Sequence, residues 1–238
     1  MGAMAVKRNQ SVLRALRVLD LIAEHQPVSV SALAEQLDED RSAVNRMVVT
    51  LADAGWIRVA PDAGKQWELT AHLFSIANLP RSDDELRRRA RNVLDRLCDE
   101  FGETVFLAVP AHRGLVVLDV AQSRHALRMV PRVGEPISPA RSSTGRAVLA
   151  FLDEEQQRQL LGRPPGAPEK AEYAEVRGRG FATSVDDIMQ GAANVAAPVF
   201  DARGRVIAAI ALSGPTGRLD ADRLNQAGEV LARLAKSV

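Results

Sequence analysis

The chain has 238 residues, 46% of them hydrophobic and 26% charged, which is enough for two ordinary domains and matches a folded globular protein rather than a disordered or fibrous one. Its 31 Lys and Arg nearly cancel 30 Asp and Glu, leaving a net charge of +1, so a bulk polycation that binds nucleic acid or membranes indiscriminately is excluded. The single cysteine, Cys98, excludes an intramolecular disulfide framework and a cysteine-rich zinc module.

The opening Met-Gly-Ala-Met-Ala lacks the apolar run of a signal peptide, and no apolar stretch approaches the roughly 20 residues of a membrane span. A cytoplasmic protein with no membrane partner is expected. Val12, Leu16, Leu19 and Ala23 recur at helical spacing and predict a helix over 10–25 with those residues inward, ended by Pro27. A second short helix is expected over 32–37, capped by Ser31, with Leu33, Ala34 and Leu37 inward. After the acidic break Asp38-Glu39-Asp40 comes a third helix over 41–54. Advancing about 100° per residue puts Ala43, Val44, Met47, Val48, Leu51 and Ala54 on one arc. Ser42, Asn45, Arg46, Val49 and Thr50 fall on the opposite arc. Gly55 stops this helix, and the extended runs 56–60 and 66–70, joined by Pro61-Asp62-Ala63-Gly64, form a hairpin. Three helices and a hairpin describe a winged helix-turn-helix.

The composition shifts after Ala77, and Pro80-Arg81-Ser82-Asp83 reads as a linker and helix start. Leu86, Ala90, Val93, Leu94, Leu97, Cys98 and Phe101 then hold a helical stripe. The expected division is 1–80, a linker helix over 81–101, and a second domain over 102–238. In that domain the period changes to strand-like runs, 104–109 and 114–120, around the turn Ala111-His112-Arg113, with 127–130 as a candidate edge. The loop from Ser138 to Gly145 feeds a helix over 146–151, and two polar helices follow, over 154–161 and 169–179. A hairpin of 194–200 and 206–213 is expected, then a last helix with Leu224, Ala227, Leu231, Leu234 and Ala235 inward.

A helix-turn-helix has a mechanical logic: one helix braces the backbone while the next enters the major groove. Ser42, Asn45 and Arg46 lie toward the start of the third helix, where base edges are reached. Asn pairs with adenine and Arg with guanine in bidentate fashion, and Val49 can meet a thymine methyl. Arg41 and Thr50 on the flanks, with Arg58 and Lys65 of the wing, suit phosphates. The plainer reading of such a face is a solvated helix surface, and the helix, helix, hairpin succession is what raises groove binding above it. Over 1–80, 8 positive side chains stand against 9 negative ones, so the basic surface must be segregated. A dimer presenting two such faces is therefore expected, with strong salt dependence.

Several stretches carry a resemblance to a known family. They are 11–20 (Ser-Val-Leu-Arg-Ala-Leu-Arg-Val-Leu-Asp), 45–57 from Asn45 to Ile57, 144–150 from Thr144 to Ala150, and Gly180-Phe181-Ala182. The most specific are 191–201 from Gly191 to Asp201 and 208–215 from Ala208 to Pro215. In their order the chain resembles the IclR family of bacterial transcription regulators over nearly its whole length. The resemblance implies an α+β chain with an N-terminal winged helix-turn-helix, a linker helix and a GAF-like mixed α/β effector-binding domain. It also implies a homo-oligomer, dimer or dimer of dimers, on a double-stranded DNA operator; no cofactor is expected. The chain departs from the family pattern at Leu37-Asp38-Glu39-Asp40, at Trp67-Glu68-Leu69-Thr70 and at Asp187.

Ser142, Ser143, Thr144 and Gly145 precede a helix, and hydroxyls beside first-turn amides suit a carboxylate. The commoner use of such residues is a helix cap, and both uses can coexist. The resemblance adds positions matching Ser184, Asn194, Ala211 and Ser213 to the effector cavity, and Met129 and Leu118 are read as its apolar wall. Such a pocket suits a small organic acid. A repressor whose second domain only oligomerises is the alternative. An enzyme with an accessory winged helix is the other, but His25, His72, His112 and His125 show no zinc or Ser-His-Asp spacing. Adjacent Asp186 and Asp187 make a poor acid-base pair, and Cys98 reads as core.

Overall fold

The computed structural model describes residues 9–79, 83–112 and 114–238. The start from Met1 through Lys7 and Arg8, the Pro80-Arg81-Ser82 stretch read as a linker, and Arg113 of the expected turn lie outside the described residues. Backbone contacts divide the chain into two units, Met1–Pro80 and Arg81–Val238, the first built round one apolar core and the second round two.

The first unit runs α1 (Gln10–His25), β1 (Val28–Ser29), α2 (Val30–Leu37), α3 (Arg41–Asp53), β2 (Ile57–Val59), β3 (Gln66–Leu69) and α4 (His72–Ala77). The expected hairpin pairs β2 with β3, and β1 adds a third strand on the other side of β3, with Val28 opposite Trp67. Val18, Ile22, Leu33, Val44, Val48 and Ile57 fill the core. The face of α1 is a correction: Val18 and Ile22 are buried, whereas Val12 and Leu16 are 53% and 51% exposed and Ala23 is exposed too. Apolar residues occur on more than one side of α1, so spacing alone does not select the arc; packing against α3 and β3 does.

The start of α2 is a second correction. Ser29, not Ser31, accepts the Ala32 amide at 3.2 Å, because a cap needs extended backbone outside the helix and Ser31 already lies inside it. The acidic break before α3 also has a structural use. Asp40 caps α3, accepting the Ser42 and Ala43 amides at 2.7 and 3.3 Å, and Glu39 pairs with Arg14 Nε at 2.9 Å. Ala54, expected inward, is exposed at the end of that helix.

The second unit runs α5 (Asp83–Phe101), β4 (Thr104–Ala111), β5 (Gly114–Ala121), β6 (Pro136–Ile137), α6 (Ser143–Leu149), α7 (Glu154–Leu161) and α8 (Ala167–Arg179). It continues through β7 (Ala182–Val185), β8 (Ala192–Phe200), β9 (Val206–Pro215) and α9 (Ala221–Leu234). Its six strands form one antiparallel sheet in the order β6-β5-β4-β9-β8-β7. Alternation along each strand feeds two cores: Ile210 and Leu212 of β9 face α5 and α9, while Ala209 and Ala211 between and beside them face α6 and α8. The helix read as a linker lies on this sheet, burying Leu86, Ala90, Leu94, Leu97 and Phe101, with Val93 and Cys98 half-buried. Arg91 of α5 holds β5 through Asp119 Oδ1 at 3.2 Å and the Val120 carbonyl at 3.1 Å, and Arg87 Nε stands 3.4 Å from the same carboxylate.

Three further expectations are corrected in this unit. The stretch 127–130 is not a strand; the edge is β6, whose Pro136 and Ile137 pair with Val116 and Leu115. The helix after the Ser-rich loop begins at Ser143 rather than Arg146, because Ser142 Oγ accepts the Gly145 amide at 2.9 Å and caps it there. The short edge strand β7 had no signal in the sequence beyond four residues of mixed polarity.

Candidate functional site

On α3 the buried side chains are Val44 and Val48, which turns Arg41, Ser42, Asn45, Arg46, Val49 and Thr50 outward, all exposed. The arrangement follows from a 3.6-residue period with apolar groups confined to one arc. Arg46 Nη1 donates to Ser42 Oγ at 3.4 Å, a long bond on the exposed face. Thr50 Oγ1 donates to the Arg46 carbonyl at 2.8 Å, so its proton is already engaged and a phosphate contact requires the hydroxyl to turn. On the wing, Arg58 Nε donates to Glu68 Oε1 at 2.8 Å, which offsets part of its charge, and Lys65 is exposed in the turn. Asp40 adds a carboxylate at the start of the same helix; hydrogen bonds from the Ser42 side chain, then from the Ser42 and Ala43 amides, hold it below the usual carboxylate range.

In the second unit a cavity of about 570 Å³ opens beside the sheet, and Met129, Ser142, Ser143, Thr144, Asn194 and Ser213 lie in its wall. Register brings the strand residues together: Asn194 of β8 stands opposite Ser213 of β9 on one side and Ser184 of β7 on the other, while Ser213 also faces Thr104 of β4. Directly opposed residues share a face of a sheet, so Thr104, Ser213, Asn194 and Ser184 form one polar row across four strands. Ser142 Oγ is committed, donating to the Ser138 carbonyl at 2.6 Å while it caps α6. The Ser143 hydroxyl is buried and has no hydrogen-bond partner, and the same is true of Ser184.

Four of the residues assigned to this pocket do not line it. Ala211 packs into the core beneath α6, and Leu118 faces α5 on the other side of the sheet. Leu118 is the unpaired residue of a β-bulge, with Leu107 opposing Asp119 and Ala108 opposing Val117, so it faces α5 as alternation from Val117 directs, and Asp119 after it faces α5 as well. Ser184 is buried at the end of the polar row, outside the lining. Gly145 is a spacer: a Cβ there would stand 2.1 Å from the Pro139 carbonyl oxygen, so only glycine lets α6 and the preceding loop approach this closely. Phe106, Arg128, Glu135 and Ile137 line the cavity unforeseen, as do Ile188 and Met189. The last two carried a signal, an apolar pair within a polar loop after Asp186-Asp187.

Arginines tether both loops that close the cavity. Arg146 Nη2 donates to Asp187 Oδ2 at 2.6 Å and to the Thr183 carbonyl at 2.9 Å, and Arg141 donates to the Asp187 carbonyl. Glu172 stands 3.1 Å from Arg146 Nε but off the N–H direction, so that N–H makes no hydrogen bond. On the other side, Arg218 grips the buried Glu103 through both carboxylate oxygens and donates to the Leu127 carbonyl at 2.9 Å, next to Arg128 and Met129 of the wall.

Residues 81–238 match the family model described as bacterial transcriptional regulator IclR C-terminal, and residues 11–61 match the IclR helix-turn-helix domain. The chain belongs to the IclR family. It is 30% identical over 250 residues to the transcriptional repressor IclR of Escherichia coli (strain K12), covering 99% of this chain and 91% of that one. It is 28% identical to the acetate operon repressor of Salmonella typhimurium, covering 96% and 88% of the two chains. Among solved structures, an IclR transcriptional regulator from Silicibacter sp. TM1040 superposes with a TM-score of 0.80 at 25% identity over 94% and 92% of the chains. An IclR regulator from Alicyclobacillus acidocaldarius, at 21% identity, supports the fold with a TM-score of 0.77 over 97% of each. As an IclR-family member the chain is a DNA-binding transcription regulator with a helix-turn-helix N-terminal domain, not an enzyme. Among the described residues, no helix is long and apolar enough to cross a membrane.

Proposed function

We propose that this IclR-family regulator binds a double-stranded operator as a dimer or dimer of dimers, and that a small organic acid held in the second unit modulates that binding. Ser42, Asn45, Arg46 and Val49 read bases, while Arg41, Thr50, Arg58 and Lys65 position the phosphate backbone. Exposed Val12, Leu13 and Leu16, close together in the first half of α1, support self-association, since an apolar patch on a small domain usually meets a partner. Effector control is a population shift: the acid favours one arrangement of the second unit, and α5, clamped to β5 through Asp119, carries the difference toward the DNA-binding domain.

The observation that carries the sensing half is the Ser143 hydroxyl, buried and without a partner in the wall of a largely apolar cavity. A buried polar group left unsatisfied costs about 1–3 kcal/mol, which a bound acceptor recovers. The test is fluorescence anisotropy of the full chain on DNA from upstream of its own gene, with and without candidate acids, alongside calorimetry. An acid that binds and changes operator affinity, with both effects lost in Ser143→Ala, supports the reading. Operator binding indifferent to every acid that binds leaves a repressor whose second unit only oligomerises.

A further inference from the structure

The dimensions and charge of the cavity narrow the effector's class, an inference that rests on the cavity being the effector site. Its neutral polar groups come from one side: Ser143 starts α6, and Asn194 and Ser213 lie side by side on β8 and β9, the strands on which α6 packs. Apart from Arg128 and Glu135, the remaining wall is mostly apolar, built from Phe106 and Ile137 of the sheet, Met129 of one tethered loop, and Ile188 and Met189 of the other. A volume of about 570 Å³ falls within the roughly 300–1,000 Å³ of sites that enclose drug-sized ligands, far more than a two- or three-carbon acid fills. A short acid would leave the apolar walls facing water.

Charge sets the second limit. Among the described residues, Arg128 is the cation of the lining and Glu135 its carboxylate, so the two offset each other. Arg128 also donates to the His125 carbonyl at 3.1 Å. One ligand carboxylate already gives this near-neutral lining a net negative charge, and a second would add to it in a desolvated site. One carboxylate can be met by neutral donors: the unpartnered Ser143 hydroxyl, the Asn194 amide and the Ser213 hydroxyl.

We infer that the effector is an amphipathic monocarboxylic acid, its carboxylate on the Ser143, Asn194 and Ser213 side and an aryl or medium-length alkyl body against Phe106, Ile188 and Met189. The test is calorimetry of the full-length protein with acetate, hexanoate, octanoate, benzoate and succinate, and with octylamine as an uncarboxylated control. Affinity rises about fourfold for each buried methylene along the alkyl series. Acetate and succinate bind at least about a hundredfold more weakly than octanoate. Met189→Ser, an exposed change that leaves the fold intact, weakens octanoate about tenfold and leaves acetate unmoved, whereas Ser143→Ala weakens every acid alike. Acetate or succinate binding as tightly as octanoate overturns the size and charge assignment while the acid-effector reading stands. Octylamine binding as tightly as octanoate overturns the carboxylate. Binding by none of the acids overturns the effector reading and this inference with it.

Discussion

Asp40 places a negative charge where it opposes phosphate yet starts the helix that must meet DNA. Its carboxyl is held down by hydrogen bonds from Ser42 and Ala43. A carboxyl with a native pKa below its unfolded value contributes stability above the ordinary range near 3.9 and loses it as pH falls through the lowered native value. Thermal melts between pH 7 and pH 3 therefore show Asp40→Ala destabilised at neutral pH but converging with the parent in acid. Asp40→Asn keeps an acceptor at the cap, so it melts closer to the parent at pH 7 and binds operator more tightly; an operator affinity unchanged in that variant shows the charge to be irrelevant to binding. Cys98 illustrates burial acting on a different group. Desolvation, then the nearby Asp99 and Asp95, push its thiol above the ordinary value. It should react more slowly than an unstructured cysteine with a disulfide reagent at pH 8, with the difference abolished in urea; equal rates in the native protein count against the buried placement.

Among the elements, α3 and the wing were legible because one arc of α3 is polar except for Val49 and the hairpin carries a four-residue turn between extended runs. On α1 spacing is ambiguous, because Val12, Leu16, Val18 and Ile22 give two apolar arcs and only packing decides between them. The pocket was legible as a loop and two strands, but not as a site. Asn194 and Ser213 are each ordinary strand residues, and only register, which a single sequence does not display, sets them in a row with Thr104 and Ser184. Leu118 lies on the α5 face, on the other side of the sheet from Val117, and the bulge that sets Asp119 on the same face adds one residue and leaves no compositional trace. The loop carrying Ile188 and Met189 depends on a bond between distant segments, Arg146 to Asp187. Asp187→Ala is expected to cost about 1–2 kcal/mol of stability, given that the carboxylate is partly exposed. It should weaken the acid's affinity by about tenfold, a figure set by loss of the preorganised wall. Calorimetry and melts on one sample separate the two effects, and an unchanged affinity shows that the loop takes no part. Asp119→Ala, which removes the carboxylate that Arg87 and Arg91 of α5 share on β5, should instead keep acid binding and lose its influence on operator affinity in the anisotropy assay.

For the whole molecule, near-neutral charge places the burden of DNA affinity on few groups. If Arg41, Arg58 and Lys65 on each of two copies reach phosphates, the logarithm of operator affinity falls against the logarithm of salt with a slope of about −5. Removing Lys65 from both copies makes it shallower by about 2, while Asn45→Ala lowers affinity for the operator without changing the slope. Titrations over a range of salt concentrations check both, and an Asn45 variant that alters the slope places that side chain on phosphate.

The arginine tethers and the polar row also bear on how the regulator reads the state of a cell. The groups that shape the cavity are guanidinium donors, carboxylates, hydroxyls, an amide and hydrocarbon, and the described lining contains no histidine, the side chain whose ordinary titration falls between pH 5 and 8. Ordinary swings of internal acidity therefore leave the receptor's geometry and charge untouched. A carboxylic acid, ionised near about pH 4 to 5, also stays almost fully ionised across those swings, so the dose-response curve of the promoter should be nearly independent of internal pH, making the protein a gauge of anion concentration with no acidity sensor of its own.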